Sequence, residues 1–288
     1  MRISEIPQAA SGAVGQAPWE PSRRPGLTIA VFSTKGGVGT TTVAINLAAT
    51  FAAVRPARSV VLVDLVLQHG DIATLLDAPI SHTVATLAQQ LGRADEHYVR
   101  SVIPQHAAGM AVLPAPSTAD EGELVTAGQV KGLLDLLRTF YDVVVLDLGN
   151  ELVDPTLAAL DAADRIVLVA LPDLASIRNT RRGLDLFERM QYDPAKSMIV
   201  LNRSTSHERL GQQMVEAALG RPVQWSIPND YRAVVEAVNG ATTVRQGVRG
   251  QRLASNFEGF VHACLQTSPS AAPPRRRTGW FRDFGRTR

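Results

Sequence analysis

The chain has 288 residues, of which 45 % are hydrophobic and 19 % are charged, and its formal net charge at pH 7 is +2. This composition is sufficient for one large core, and the nearly balanced charge does not favour a nucleic-acid-binding protein. The single cysteine, Cys264, excludes an intrachain disulfide, a cysteine metal site and an iron–sulfur cluster, and an inert core thiol is its expected role.

The first 26 residues are polar and rich in Pro, Gly and Ala, which predicts a disordered leader without the apolar region of a signal peptide. No apolar run along the chain approaches the roughly 20 residues that span a bilayer. The sequence therefore predicts a cytoplasmic protein with one folded domain over residues 27–266.

Short apolar runs alternate with segments of helical periodicity throughout this domain. The apolar runs predict seven strands, at residues 27–33, 59–64, 110–113, 142–147, 165–170, 197–201 and 223–226. Helices are predicted at residues 41–54, 129–140, 155–162, 174–190, 207–219, 231–239 and 251–266, with two short helices within 70–91. The alternation predicts an α/β fold with a doubly wound parallel sheet and helices on both faces.

The last 22 residues, 267–288, are predicted to form a linker followed by a basic aromatic tail. Residues 275–288 contain six arginines and one aspartate, together with Trp280, Phe281 and Phe284. These aromatic residues can share one helical face, but two glycines in the segment disfavour a helix in water. Binding to an anionic membrane and a disordered basic tail are both open interpretations.

A glycine-rich loop separates the first predicted strand from the first predicted helix. Residues 33–42 are Ser-Thr-Lys-Gly-Gly-Val-Gly-Thr-Thr-Thr. Such a loop at a helix N-terminus cradles phosphate with backbone N–H groups, because glycine has no Cβ to block close approach. The predicted nucleotide-binding residues here are Lys35, Gly36, Gly37, Val38, Gly39, Thr40, Thr41 and Thr42.

This loop resembles the deviant Walker A motif of the MinD/ParA superfamily of P-loop ATPases. The resemblance implies ATP and Mg²⁺ as cofactors, and a homodimer that holds ATP between its subunits. It also implies that Lys35 is the signature lysine, which reaches the partner's phosphates, and that Thr41 provides the hydroxyl on Mg²⁺. Thr40 stands where the usual P-loop lysine would be.

Further segments resemble the CpaE/TadZ branch of this superfamily, which comprises ATPase-like localisation factors of tight-adherence (Flp-type) pili. These segments are residues 67–71, 112–116, 171–179, 201–203 and 227–230. The resemblance implies pilus or secretion assembly proteins as partners, at the inner face of the plasma membrane.

Acidic residues end two of the predicted strands. Asp147 has the position of a Walker B carboxylate, which faces the water shell of Mg²⁺. Asp64 is the second expected magnesium-site carboxylate, and Lys35, Asp64 and Asp147 are the candidate catalytic residues. By resemblance, a water-positioning Asp is expected two residues after Asp64. Val66 stands there, and valine can neither accept a proton nor orient a water.

Asp71 follows five residues after Val66. It has two open interpretations, an approach to the magnesium site and a solvated helix N-cap. Base recognition is assigned by resemblance. Asn202 is expected to contact the adenine edge with Arg203 beside it, and a turn containing Pro228 and Asp230 closes over the base. Ordinary Asn and Pro turns are the alternatives.

Three functions compete at this point. The first is an ATP-binding, dimerising switch with slow hydrolysis that localises an assembly, which the intact loop favours. The second is a pseudo-ATPase scaffold without a nucleotide cycle, which Thr40 and Val66 favour. The third is a chromosome- or plasmid-partitioning ATPase. An ordinary solvated helix face is the alternative interpretation of the arginines that would form its DNA-binding patch. These arginines lie on one predicted helix: Arg178, Arg181, Arg182 and Arg189.

Overall fold

A computed structural model describes residues 25–205 and 211–266. Within these ranges the strands are β1 (Leu27–Phe32), β2 (Val60–Asp64), β3 (Ala111–Leu113), β4 (Val143–Asp147), β5 (Arg165–Ala170), β6 (Ser197–Ser204) and β7 (Trp225–Pro228). They form a sheet in the order β3-β2-β4-β1-β5-β6-β7, and all neighbouring strands in it are parallel. The predicted doubly wound parallel α/β fold is confirmed.

The described α-helices lie between and after these strands. They are α1 (Thr40–Val54), α2 (Ile72–Leu75), α3 (Val84–Ala88), α4 (Glu96–Val102), α5 (Ala119–Glu123), α6 (Ala127–Phe140), α7 (Asp154–Ala162), α8 (Leu174–Arg189), α9 (Gln212–Leu219), α10 (Tyr231–Asn239) and α11 (Gln251–Gln266). In the described part of the chain, none of these helices is both long enough and apolar enough to cross a bilayer.

The hydrophobic core has two layers because successive side chains of each strand point to opposite faces of the sheet. Ile29 and Val31 face the layer that contains α1, α10 and α11. Ala30 and Phe32 face the layer that contains α3, α4 and α6 to α9. The strands are buried on both faces, which is why they consist of continuous apolar runs.

The sheet also determines where a ligand can bind. Strand β1 lies between β4 and β5. Strands β2 and β3 lie on the β4 side of it, and β6 and β7 lie on the β5 side, so the order of the strands reverses at β1. In open α/β sheets, ligands bind in the crevice at the carboxyl ends of the strands where the order reverses. The glycine-rich loop follows β1 directly, so the fold brings this loop to that crevice.

Some predicted boundaries were wrong. The seventh strand lies at Trp225–Pro228 rather than at 223–226, so Pro228 ends a strand instead of lying in a turn. Strand β6 continues to Ser204, so Asn202 lies inside it rather than after it. Arg203 adopts a left-handed φ of 55°, and a register shift between Leu201 and Ser204 allows β6 to pair further, up to Pro228.

Two short helices, α4 and α5, were not predicted. Each begins with a side-chain cap, Asp95 accepting from Tyr98 N at 2.8 Å and Thr118 accepting from Glu121 N at 3.3 Å. Both helices are too short for apolar periodicity to reveal them. Residues 1–24 of the predicted leader, the start of the predicted 207–219 helix and the tail 267–288 lie outside the described residues.

The cysteine prediction agrees with the structure. Cys264 lies in α11 and is 1 % exposed. Burial raises the pKa of its thiol to about 12, which makes it a poor nucleophile at neutral pH.

Candidate nucleotide-binding site

The glycine-rich loop connects β1 to α1 in a conformation that only glycine adopts easily at two positions. Gly37 has a φ of 76° and Gly39 a φ of 94°, both in the left-handed region. A methyl group on Gly39 would also lie 2.5 Å from Asn202 Nδ2. Glycine is therefore required at position 39 for two reasons, the left-handed backbone conformation and the lack of space for a Cβ.

Side chains hold this loop from its inner side. The Thr40 hydroxyl donates to Ser33 Oγ at 3.0 Å, and Ser33 Oγ donates to the Lys35 carbonyl at 2.9 Å. Asn202 Nδ2 donates to the Val38 carbonyl at 2.8 Å. Thr40, which replaces the usual lysine, is only 7 % exposed. Its side chain thus supports the loop rather than pointing into the crevice.

The backbone of the loop suits a phosphate group. Within the described residues, the N–H groups of 36–39 donate hydrogen bonds to no other group. They lie next to the N-terminal end of α1, where the helix dipole and the unpaired N–H groups favour an anion. These unpaired donors, together with the glycines, fit a nucleotide phosphate.

Lys35 lies at the surface of the loop. Its Nζ is 3.5 Å from Asp173 Oδ2, and the two side chains are 36 % and 43 % exposed. Asp173 also caps α8, because its Oδ1 accepts from Ser176 N at 2.8 Å. The pair is solvent-accessible, so it is a weak contact that Lys35 can leave.

Two buried carboxylates lie side by side behind the loop. Asp64 and Asp147 are paired in register at the ends of the neighbouring strands β2 and β4, and they are 1 % and 0 % exposed. Burial raises the pKa of Asp64 to about 8, with a further contribution from the charge of Asp147. Burial also raises the pKa of Asp147 to about 6, opposed by Thr41 and by the Gly149 N–H.

The surroundings of these carboxylates differ. Both oxygens of Asp64 accept backbone hydrogen bonds at 3.1 Å, Oδ1 from Val66 N and Oδ2 from Ile72 N. Asp147 Oδ1 accepts from Gly149 N at 3.2 Å, but Oδ2 is buried without a hydrogen-bond partner among the described residues. The Thr41 hydroxyl faces the Asp147 carboxylate, since it lowers the pKa of that group.

This arrangement fits Mg²⁺ held jointly with a nucleotide. A free carboxylate oxygen and a hydroxyl are hard ligands, and Mg²⁺ in nucleotide sites takes few protein ligands and completes its shell with phosphate and water. No group of three or more His, Cys, Asp or Glu side chains in the described ranges could hold a metal alone. Asp147 and Thr41 would hold the ion, and Asp64 fixes the loop between β2 and α2.

The loop after β2 lacks an acid where the resemblance leads us to expect one. Val66 is half-buried, and its Cγ2 would lie 3.1 Å from a methyl group placed on Gly149. Asp71 is exposed and precedes α2, where its side chain makes no capping bond. Its charge raises the pKa of both buried carboxylates, so Asp71 lies near them.

Of the predicted base-binding residues, Asn202 contacts the glycine-rich loop, and the others lie in β6, at the end of β7 and at the start of α10. Asn202 binds the loop through Nδ2, while its Oδ1 accepts from Arg203 N at 2.9 Å. Asp230 Oδ1 caps α10 by accepting from Ala233 N at 3.1 Å. Pro228 lines an open cavity of about 440 Å³ together with residues at the ends of β6 and β7 and on α11: Ser204, Thr205, Ser226, Arg252 and Asn256.

Sequence reasoning missed Asn150. This exposed residue follows Asp147 by three positions, and a methyl group on Gly36 would lie 3.7 Å from its Oδ1. Its amide therefore stands over the glycine-rich loop. A polar residue in the short loop after a Walker B strand is the signal that could have identified it.

The fold and the site define a P-loop nucleotide-binding protein, and the comparisons with known proteins agree. A family model described as an AAA domain matches residues 26–196. The chain belongs to this family, within the MinD/ParA superfamily of P-loop ATPases. The septum site-determining protein MinD of Thermotoga maritima is 24 % identical over 241 residues, which cover 82 % of this chain and 87 % of that protein.

Solved structures share the fold. A ParA family ATPase from Chlorobium tepidum superposes with a TM-score of 0.77 at 23 % identity, covering 82 % of this chain and 98 % of that one. MinD from Pyrococcus horikoshii, solved as a complex with Mg-ADP, superposes with a TM-score of 0.69 at 18 % identity and covers 83 % and 97 % of the two chains.

Proposed function

We propose that the chain is an ATP-binding, dimerising switch that localises an assembly at the inner membrane and hydrolyses ATP slowly. The observation that carries this proposal is the glycine-rich loop, with its unpaired N–H groups, next to the free oxygen of Asp147. The related MinD of P. horikoshii binds Mg-ADP, which supports the same class of ligand here.

Dimerisation is proposed to depend on Lys35. A signature lysine acts in trans, as an arginine finger does. The weak, exposed contact between Lys35 and Asp173 leaves the ammonium group available to a second subunit. Sedimentation with a non-hydrolysable ATP analogue tests this. We expect Lys35→Ala to abolish the nucleotide-dependent dimer while monomers still bind nucleotide. An unchanged dimer in this variant would contradict the trans role.

The competing function is a scaffold that binds partners in one fixed state. Thr40 and Val66 favour it, because a buried hydroxyl and an aliphatic side chain replace two groups that support hydrolysis. Measuring the nucleotide content of the purified protein separates the two functions. Stoichiometric ATP or ADP supports the switch, and purified protein that neither contains nor takes up nucleotide supports the scaffold.

The assembly itself is proposed to be a Flp/Tad-type pilus or a secretion apparatus. This rests on the resemblance of residues 67–71, 112–116, 171–179, 201–203 and 227–230 to the CpaE/TadZ branch. The test is whether the protein co-purifies with components of such an apparatus under native conditions, with Lys35→Ala as a control for dimer-dependent binding. Co-purification with a chromosome-partitioning complex instead would favour the third function.

The C-terminal tail is proposed to bind anionic membrane usefully only from a dimer. Each basic residue near an anionic surface contributes about 1 kcal/mol, so a net charge of +5 suggests about 5 kcal/mol, or a Kd of about 0.1–1 mM. Two tails on one dimer would gain avidity of about 10²–10⁴. Liposome co-sedimentation of the full chain and of a version ending at Ser268 tests this with and without ATP. Equal binding by the two forms would refute it.

A further inference from the structure

We propose that Asp71 orients the water that attacks the terminal phosphate of bound ATP, in place of the acid that Val66 replaces. This inference rests on the proposed function, since it requires the glycine-rich loop to bind ATP. It moves the water-positioning group further along the loop after β2, to a residue to which the resemblance assigns no such role.

The loop after β2 closes on the Asp64 carboxylate, so the two ends of this loop lie together. Asp64 Oδ1 accepts from Val66 N at 3.1 Å, and Asp64 Oδ2 accepts from Ile72 N at 3.1 Å. A methyl group on Gly70 would lie 2.5 Å from the same Oδ2 atom. The residues on both sides of Asp71 therefore lie against the carboxylate that also binds Val66, which brings Asp71 back to the start of the loop.

The electrostatics of the site also place Asp71 near both buried carboxylates. Burial is the main cause of the raised pKa of Asp64 and of Asp147, and the charge of Asp71 raises the pKa of each further. Asp147 Oδ2 is buried and has no hydrogen-bond partner among the described residues, which indicates that a ligand completes this site. Asp71 thus lies close to a place where the fold leaves room for a ligand.

The Asp71 side chain is not used by the fold. Asp71 is exposed and precedes α2, but its side chain makes no capping bond to this helix. Its backbone is right-handed, with φ −113° and ψ −2°, whereas capping residues usually have an extended backbone. None of the ion pairs between described residues includes it. The helix-capping interpretation of Asp71 is therefore not supported, and its carboxylate is available to a ligand.

Hydrolysis requires a group of this kind. In phosphoryl transfer the protein mainly positions the reactants, and one residue orients the attacking water. The water oxygen bonds to the terminal phosphorus, the bond from this phosphorus to ADP breaks with its electron pair leaving on ADP, and a water proton ends on the released phosphate. A carboxylate can accept a hydrogen bond from this water, which valine cannot. Because the Asp71 side chain is exposed, it would hold the water less firmly than a packed acid, which fits slow turnover.

The test is single-turnover hydrolysis of labelled ATP by the full chain with Mg²⁺, together with titration of a non-hydrolysable ATP analogue and thermal melts. We expect Asp71→Ala to lower the hydrolysis rate about 100-fold, the lower end of the loss when one positioned hydrogen-bonding group is removed. The affinity for the analogue and the melting temperature should not fall, because Asp71 holds neither the loop nor the phosphates.

Two further variants sharpen this test. Asp71→Asn should regain part of the lost rate, because the amide oxygen can still accept a hydrogen bond from water. Asp120→Ala, at an exposed position in α5, is the matched control for the loss of one negative charge and should hydrolyse ATP like the unaltered chain.

The outcomes separate this inference from the proposed function. If the unaltered chain binds and hydrolyses ATP but Asp71→Ala hydrolyses it equally fast, the inference is wrong and the proposed function stands. A parallel fall in analogue affinity or melting temperature also overturns it, because Asp71 would then only shape the loop. If the unaltered chain binds ATP without hydrolysing it, the inference is wrong and nucleotide binding stands. If it binds no nucleotide, both fail.

Discussion

The two sides of the crevice differ in how many of the residues expected of an ATPase they contain. On one side, the glycine-rich loop has two left-handed glycines, N–H groups that are unpaired among the described residues, and an inner network of hydrogen bonds. On the other side, the loop after β2 has Val66 where an acid is expected, although Asp64 and Asp147 remain at the strand ends. Binding and hydrolysis depend on different sides, so a chain can retain the first while the second weakens.

The largest effect on ATP affinity should come from substituting Gly39, on the side of the crevice that contains the glycine-rich loop. We expect Gly39→Ala to lower ATP affinity by about 100-fold or more, because the residue has a left-handed backbone and the new methyl group would collide with Asn202. Titration with ATP and Mg²⁺ measures this. Gly128→Ala, at a helical glycine with nothing within 4 Å, is the matched control and should bind normally. Normal binding by Gly39→Ala would mean that this loop does not hold the phosphates.

The next effect concerns the carboxylate pair. Burial raises the pKa of Asp147 to about 6, above the value of about 3.9 for an unfolded Asp. At a pH between these two pKa values, the folded state therefore binds more protons than the unfolded state. Without Mg²⁺, the stability contributed by this group falls as the pH rises from about 4 to about 6. We expect Asp147→Asn to raise the melting temperature by several degrees at pH 7.5 and by little at pH 4.

The melting temperature of Asp147→Asn should also no longer rise when Mg²⁺ is added with ATP, because the oxygen that would hold Mg²⁺ is replaced by an amide nitrogen. Thermal melts with and without Mg²⁺ and ATP measure both effects. Asp120→Asn, at an exposed position in α5, controls for the change in net charge. A variant that is no more stable than the unaltered chain at pH 7.5 would show that the buried charge is not a cost to the fold.

The smallest effect should come from the inner network of the glycine-rich loop. Thr40→Val keeps the shape of the side chain but removes the hydroxyl that donates to Ser33 Oγ. We expect ATP affinity to fall about two- to tenfold, as for the loss of one neutral hydrogen bond, whereas Thr40→Ser should bind like the unaltered chain. Identical binding by the Val and Ser variants would show that the hydroxyl does not support the loop.

The sequence predicted the sheet well because its strands are buried on both faces and so consist of apolar runs that stand out from their surroundings. The glycine-rich loop and the strand-end carboxylates were likewise recognisable, because each is defined by residues that are close together in the sequence. Other features were not visible in the sequence because they depend on distant contacts. The bond from Asn202 to Val38 joins residues 164 positions apart, and Asn150 meets Gly36 only through the pairing of β1 with β4.

The central claim is that this chain binds ATP with Mg²⁺ but hydrolyses it slowly. The most direct test is the steady-state turnover of the purified full chain at saturating ATP and Mg²⁺, in a preparation whose ATP binding has been shown by titration. The account predicts stoichiometric binding together with turnover far below about 1 s⁻¹, the low end of typical enzymes. Turnover of about 1 s⁻¹ or faster would contradict it, because the side of the crevice that contains Val66 would then be a competent catalyst.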